Sequence, residues 1–185
     1  MSALVDLAAL AARLRALEPS CGPVRIVAVD GPSAAGKSTF ASGLAAALGG
    51  APVVRSDDFP VPWDGDPLAW WPPLTAQVLD PLRDGRTGRF RRYDWHRGAY
   101  AEELHVPPAP VVILEGVGAA REEAPAAFRV WVEASYDVRR RRAAERGDDP
   151  GSWERWATTE AKHFAADRTR DRIDLVIDGN PRRRV

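Results

Sequence analysis

Val29-Asp30-Gly31-Pro32-Ser33-Ala34-Ala35-Gly36-Lys37-Ser38-Thr39 decides the reading of this chain. Residues 31–38 satisfy G-x-x-x-x-G-K-[ST] at every fixed position. The two glycines let the backbone curl until successive N–H groups point inward at phosphate oxygens. A helix starting near Ser38 adds the positive end of its dipole. Lys37 is a compact cation on a flexible stem, suited to the β- and γ-phosphates of a nucleoside triphosphate, and the Ser38 hydroxyl is placed to ligate Mg²⁺. Gly31, Ser33, Ala34, Ala35, Gly36, Lys37, Ser38 and Thr39 are therefore the expected nucleotide-binding residues.

The flanks agree with a strand–loop–helix unit. Val24–Val29 is rich in β-branched residues and reads as a buried strand, and Ser38–Leu48 as a helix stopped by Gly49-Gly50. Further short apolar runs at Pro52–Arg55, Val111–Leu114, Val130–Val132 and Leu175–Ile177 read as strands. Helical spacing predicts helices over residues 2–17 (capped by Ser2, ended by Pro19), Leu74–Leu82, Asp137–Arg146 and Ser152–Asp167. Alternating strands and helices imply an α/β fold, a central parallel sheet with helices on both faces. The 185 residues suit one domain.

Composition narrows the function classes. Basic and acidic residues balance at 26 each, which gives no support to nucleic-acid or membrane-surface binding. The single cysteine, Cys21, allows no intramolecular disulfide. No stretch approaches the roughly 20 apolar residues of a membrane span, and no basic leader is seen. A cytoplasmic setting is expected. Only Lys37 and Lys162 are lysines among the 26 basic residues, so Lys37 stands where arginine does not serve.

In a parallel sheet the working residues gather at the carboxyl ends of strands. Asp57-Asp58 follows the second strand and Glu115-Gly116 follows Val-Val-Ile-Leu. Asp57 fits a base that orients an acceptor hydroxyl and takes its proton, and Glu115 a second carboxylate near the metal. A solvated turn is the competing reading of Asp57-Asp58. Residues 59–100 hold many prolines and four of the seven tryptophans, and form the expected acceptor-binding insertion. Trp63, Trp70, Trp71, Tyr93 and Trp95 form either an aromatic wall for an acceptor or the small core of that insertion. Asp58, Trp63, Tyr93, Asp94, His96 and Arg97 are the expected acceptor contacts. Residues 137–149 carry Arg139-Arg140-Arg141-Arg142 and Arg146. They read as a lid over the triphosphate, with Arg142 and Arg146 on one face, or as a solvated basic helix.

These segments in this order resemble the uridine kinase-like branch of P-loop kinases. The carrying residues are 29–39, Ser56-Asp57-Asp58-Phe59, Tyr93-Asp94-Trp95, Val111–Gly116, Glu145-Arg146-Gly147 and Asp174–Gly179. The resemblance makes Asp57 the catalytic base, puts Glu115 near the metal and Tyr93-Asp94 at the acceptor pocket, and makes 137–149 the lid. Pro60 stands where uridine kinases have tyrosine, and the lid is shorter. The implied activity is ATP- and Mg²⁺-dependent transfer of phosphate to an alcohol group of a small molecule. Catalysis falls to Lys37, Asp57, Arg142 and Arg146, with Arg142 and Gly179 also at the nucleotide. Two other readings are a monophosphate kinase of cytidylate kinase type, using Arg91, Arg92 and Arg97 for the acceptor's phosphate, and a nucleotide-dependent switch with slow hydrolysis.

Overall fold

A computed structural model describes residues 5–181. Five parallel strands form its main sheet in the order β2-β5-β1-β6-β7: β1 Arg25–Asp30, β2 Val53–Arg55, β5 Val111–Glu115, β6 Ala126–Glu133 and β7 Leu175–Asp178. The centre of the sheet is apolar on both sides. Ile26 and Ala28 of β1 join one core, Val27 and Val29 the other. All five residues of β5 are buried. Burying a side chain such as Ile113 or Leu114 contributes about 1.5–3 kcal/mol, which places these runs inside the sheet.

Helices cover both faces, as expected. α1 (Leu7–Arg15) and α2 (Lys37–Ala47) pack through Leu10, Leu14, Ala41 and Leu44 against Val27, Val29 and Ile113. The opposite face takes the insertion. There α3 (Trp71–Leu74), a π segment (Thr75–Leu79) and α4 (Asp80–Arg83) run on as one helix. That helix exceeds the expected Leu74–Leu82 at both ends. Pro81 has no N–H for the carbonyl four residues back, and the backbone loosens into the wider π turn just before it. On the same side, Phe164 of α6 (Pro150–Asp167) packs edge-on to Trp131 of β6, with ring centroids 4.7 Å apart. Before α6 stands α5 (Tyr136–Arg146), closed by Gly147 in the left-handed conformation.

Three expectations need correction. The first helix starts at Leu7, not Ser2: Asp6 caps it by accepting from the N–H groups of Ala8 (2.9 Å) and Ala9 (3.1 Å), and the expected Ser2 cap lies outside the described residues. It also ends at Arg15, four residues before Pro19. The insertion does not stop at residue 100. An antiparallel hairpin, β3 (Gly88–Asp94) and β4 (Ala99–Val106), extends it to Val106. Only Gly88, Phe90 and Val106 of this hairpin are buried, so the usual alternation of apolar residues is masked by arginines and glutamates. Phe90 anchors the hairpin by stacking on Phe59 at 5.0 Å. Trp70 and Trp71 belong to the insertion's core. Both are buried, and their indole N–H groups donate to the carbonyls of Val117 (3.1 Å) and Gly118 (3.0 Å). They fix the insertion onto the loop that follows β5. Among the described residues no helix is long and apolar enough to cross a membrane.

Candidate phosphate-binding site and its surroundings

The loop between β1 and α2 is built by close backbone approach. Gly31 has φ +132°, and a Cβ there would lie 2.1 Å from the Val132 carbonyl oxygen. Gly36, at φ +109°, caps α2 without any side-chain hydrogen bond, so the first-turn N–H groups of α2 are left for a ligand. Lys37 is buried inside the curl, its Nζ donating to the carbonyls of Gly31 (2.8 Å) and Pro32 (3.1 Å). Ser38 and Thr39 are exposed at the mouth. The Ser38 hydroxyl donates to Glu115 Oε2 at 3.2 Å.

Glu115 is buried at the end of β5, and burial pushes its carboxyl above the usual range, opposed by the charge of Lys37. Arg55 Nε stands 3.7 Å from the same oxygen. Gly116 then turns at φ +149°, where a Cβ would strike the Ser56 hydroxyl at 2.2 Å. This contact brings the Ser56–Asp58 turn beside β5. Asp57 is exposed there, and its charge acts on both Glu115 and Arg146. The Asp57 carbonyl accepts the Trp95 indole N–H at 2.8 Å, which ties the hairpin tip to the turn.

The expected acceptor contacts divide. Tyr93 lies edge-on to Trp95 (5.0 Å) and Tyr100 (5.5 Å), an aromatic group next to Asp57. Asp58 is turned inward: its carboxylate accepts the Arg55 N–H (3.2 Å), and burial pushes its pKa up. Asp94 closes the hairpin turn by accepting from the N–H groups of His96 (3.0 Å) and Arg97 (3.1 Å), whose side chains stay exposed. Trp63 packs against Trp156 of α6, at 5.6 Å, away from the other insertion aromatics.

The arginines of residues 137–149 sort by helix face. Arg139 and Arg142, spaced i, i+3, meet the loop, and Arg146 lies about one turn further along the same side. Arg142 donates to the carbonyls of Ala34 and Ala35 (both 3.2 Å) and of Gly179 (2.7 Å). Arg146 pairs with Asp148, whose hydrogen bonds raise its pKa. Arg140 and Arg141 are exposed, beside Glu154 (3.7 Å) and Glu145 (4.0 Å). Gly179 packs so tightly that a Cβ would lie 2.0 Å from the Ala35 carbonyl oxygen. We expect Gly179→Ala to lose about 2–4 kcal/mol and to weaken nucleotide binding, because the end of β7 must move off the loop. A thermal melt checks this, and an unchanged melting temperature would refute the contact.

Two charged residues here, Glu160 and Asp30, stood outside the expected site, and Arg139 was expected only as one of the lid row. Arg139 donates to Glu160 Oε1 at 2.9 Å, and Glu160, buried on α6, accepts the Ser33 N–H at 2.9 Å. The i, i+3 spacing to Arg142 was a usable signal for Arg139. Glu160 had none, since it meets Ser33 across 127 residues. Asp30, fully buried at the end of β1, accepts from the N–H groups of Gly31 (2.7 Å), Ala120 (2.8 Å) and Gly118 (3.1 Å). A charge directly after a buried strand pointed to it, as it did to Glu115.

Burial pushes the Asp30 carboxyl up to about 7, against its backbone hydrogen bonds. The unfolded chain releases this proton near 3.8. Between those values the folded protein holds more protons, so this group's contribution to stability falls as pH rises and is lost above about 7. Melting curves from pH 5 to 8 should show that slope in the wild type and a shallower one in Asp30→Asn. Equal slopes would place the ionisation elsewhere.

No protein-family model and no curated sequence matches the chain. Solved structures do match in fold, among them two proteins described in provisional terms. One is a uridine kinase from Bacillus stearothermophilus, with TM-score 0.67 and 19% identity over 93% of this chain and 97% of that one. The other is a fructose transport system kinase from Silicibacter sp. TM1040, with TM-score 0.63 and 22% identity over 94% and 99%. The chain has the uridine kinase-like fold, with the central parallel sheet expected of it.

Proposed function

We propose that this protein is an ATP-dependent small-molecule kinase that moves the γ-phosphate onto a hydroxyl of a nucleoside-like or other small metabolite. The carrying observation is that the turn bearing the exposed Asp57 packs through Ser56 against Gly116, next to Glu115, which accepts the hydroxyl of Ser38 in the Lys37 loop at 3.2 Å. A base and a metal-side carboxylate thus converge where a terminal phosphate would meet an acceptor.

The nucleotide lies on residues 31–39 in this reading. Lys37 exchanges the loop carbonyls for phosphate oxygens, and α2 presents its free N–H groups. Ser38 and Glu115 are hard oxygen donors 3.2 Å apart, suited to Mg²⁺, which when bound neutralises phosphate charge. Asp57 orients the acceptor hydroxyl and takes its proton. Tyr93, Trp95 and Tyr100 form the wall against which a flat acceptor lies. Arg142 braces the loop and the segment around Gly179, and Arg146 offsets charge on the transferred group. The setting is cytoplasmic on this reading.

The monophosphate kinase reading needs free arginines at the acceptor. Arg91 donates to the carbonyls of Tyr100 and Ala101, and Arg92 forks onto Glu102 at 2.8 and 3.2 Å. Among the described residues, Arg97 is the one of the three candidate arginines whose side chain shows no such partner. The test is ATP consumption with Mg²⁺ against nucleosides, nucleoside monophosphates, pantothenate and sugar phosphates. Turnover that requires a nucleoside, pantothenate or a sugar phosphate supports the alcohol kinase, and turnover that requires a nucleoside monophosphate supports its rival. Hydrolysis that ignores every addition favours a nucleotide-dependent switch.

A further inference from the structure

Glu160 has no part in the mechanism above, yet it is 1% exposed and holds the phosphate loop. Its Oε2 accepts the Ser33 N–H at 2.9 Å, and its Oε1 accepts the Ser33 hydroxyl at 3.3 Å. Arg139 Nη1 donates to the same Oε1 at 2.9 Å and to the Ser33 carbonyl at 3.3 Å. Lys37 and Arg139 are the cations whose charges act on it. A carboxylate from α6 therefore rests on a backbone N–H of an anion-binding loop and on an α5 arginine that also touches that loop.

N–H groups and guanidinium groups gathered at such a loop are the donors a terminal phosphate recruits. An internal carboxylate on the same donors satisfies them without a ligand and competes with any anion that needs them. Arg139 sits on the loop-facing side of α5, and its guanidinium lies over the rings of Trp153 (5.6 Å) and Tyr136 (5.8 Å), contacts that do not compete for its N–H donors. A diphosphate lacks the group that would draw Arg139 away. A triphosphate carries it.

We propose that Glu160 is a resident competitor for the terminal phosphate, holding Ser33 and Arg139 until a triphosphate draws Arg139 onto its γ-phosphate, so that Glu160 sets the balance between triphosphate and diphosphate binding. This rests on the reading of the loop as a nucleoside triphosphate site. Glu160 is a positioning residue, acting through Arg139.

Calorimetric dissociation constants for a non-hydrolysable ATP analogue and for ADP, both with Mg²⁺, test it in the full chain. Glu160→Gln keeps the shape and removes the charge. It should bind the analogue about tenfold tighter while ADP stays within about twofold. Arg139→Met reads the same exchange from the other side and does not depend on Glu160→Gln folding: it should weaken the analogue selectively. In the double variant, Glu160→Gln should bring no further gain. Equal weakening of both nucleotides by Glu160→Gln would make Glu160 a plain scaffold of the loop and overturn the proposal. An unchanged ratio of the two would also overturn it. A wild type that binds neither nucleotide would instead overturn the loop reading itself, and the proposal with it.

Discussion

Lys37→Met should reduce kcat/KM for phosphate transfer by at least about a thousandfold, roughly 4 kcal/mol of lost transition-state stabilisation. Lys37 is buried and inside the loop, so no other side chain can take its place. Its charge also acts on three buried carboxylates, Asp30, Glu115 and Glu160. Removing that charge favours their protonated forms and leaves the carbonyls of Gly31 and Pro32 without their donor. Lys37→Met should therefore also melt at a lower temperature. Lys37→Arg separates charge from shape. A planar guanidinium does not fit the curl, so it should remain inactive even though the charge is kept. Rescue by arginine would show that a positive charge alone suffices. Steady-state kinetics alongside thermal melts of both variants decide this.

Asp57→Asn should lower kcat by about a hundred- to ten-thousandfold while nucleotide affinity stays within about twofold. The asparagine keeps the shape of the side chain. The Asp57 carbonyl, which holds Trp95, is unaffected by the change. What disappears is the carboxylate proposed to orient and deprotonate the acceptor. The loss should sit in kcat because Asp57 is exposed and its carboxylate accepts from Ser56 rather than from a residue of the phosphate loop. There is a secondary effect with a definite sign. The Asp57 charge raises the proton affinity of Glu115, so in the variant Glu115 should ionise at lower pH. Near-normal turnover with intact ATP binding would refute Asp57 as the base. A loss of nucleotide binding equal to the loss of turnover would make it part of the nucleotide site instead.

The core strands and the loop were readable because their signals are local. Gly31, Gly36, Lys37 and Ser38 act through spacings of a few residues, and Val111–Leu114 declares burial by being apolar without a break. A parallel sheet follows once such runs alternate with helices. The hairpin over 88–106 was not readable. It buries so little of each strand that its period is lost among charged residues. The tryptophans carried a real ambiguity of the same origin. Composition places an indole in the insertion but does not say which way it faces. Packing sent Trp70 and Trp71 to the carbonyls of Val117 and Gly118, and left Trp95 exposed, donating to the Asp57 carbonyl.

The sequence by itself determined the strand–loop–helix unit, the acids at the ends of β2 and β5, and the row of arginines on one helix. Each is a matter of residue type at short range, where covalent geometry and helix or strand period fix the outcome. Tertiary structure alone decided which arginines of the row meet the loop, that Trp70 and Trp71 turn to the carbonyls of Val117 and Gly118, and that Glu160 rests on Ser33. Those outcomes depend on burial and on partners distant in the chain. The energy of a carboxylate is set by how much water it loses and which cations surround it, and neither is written in its neighbours along the sequence.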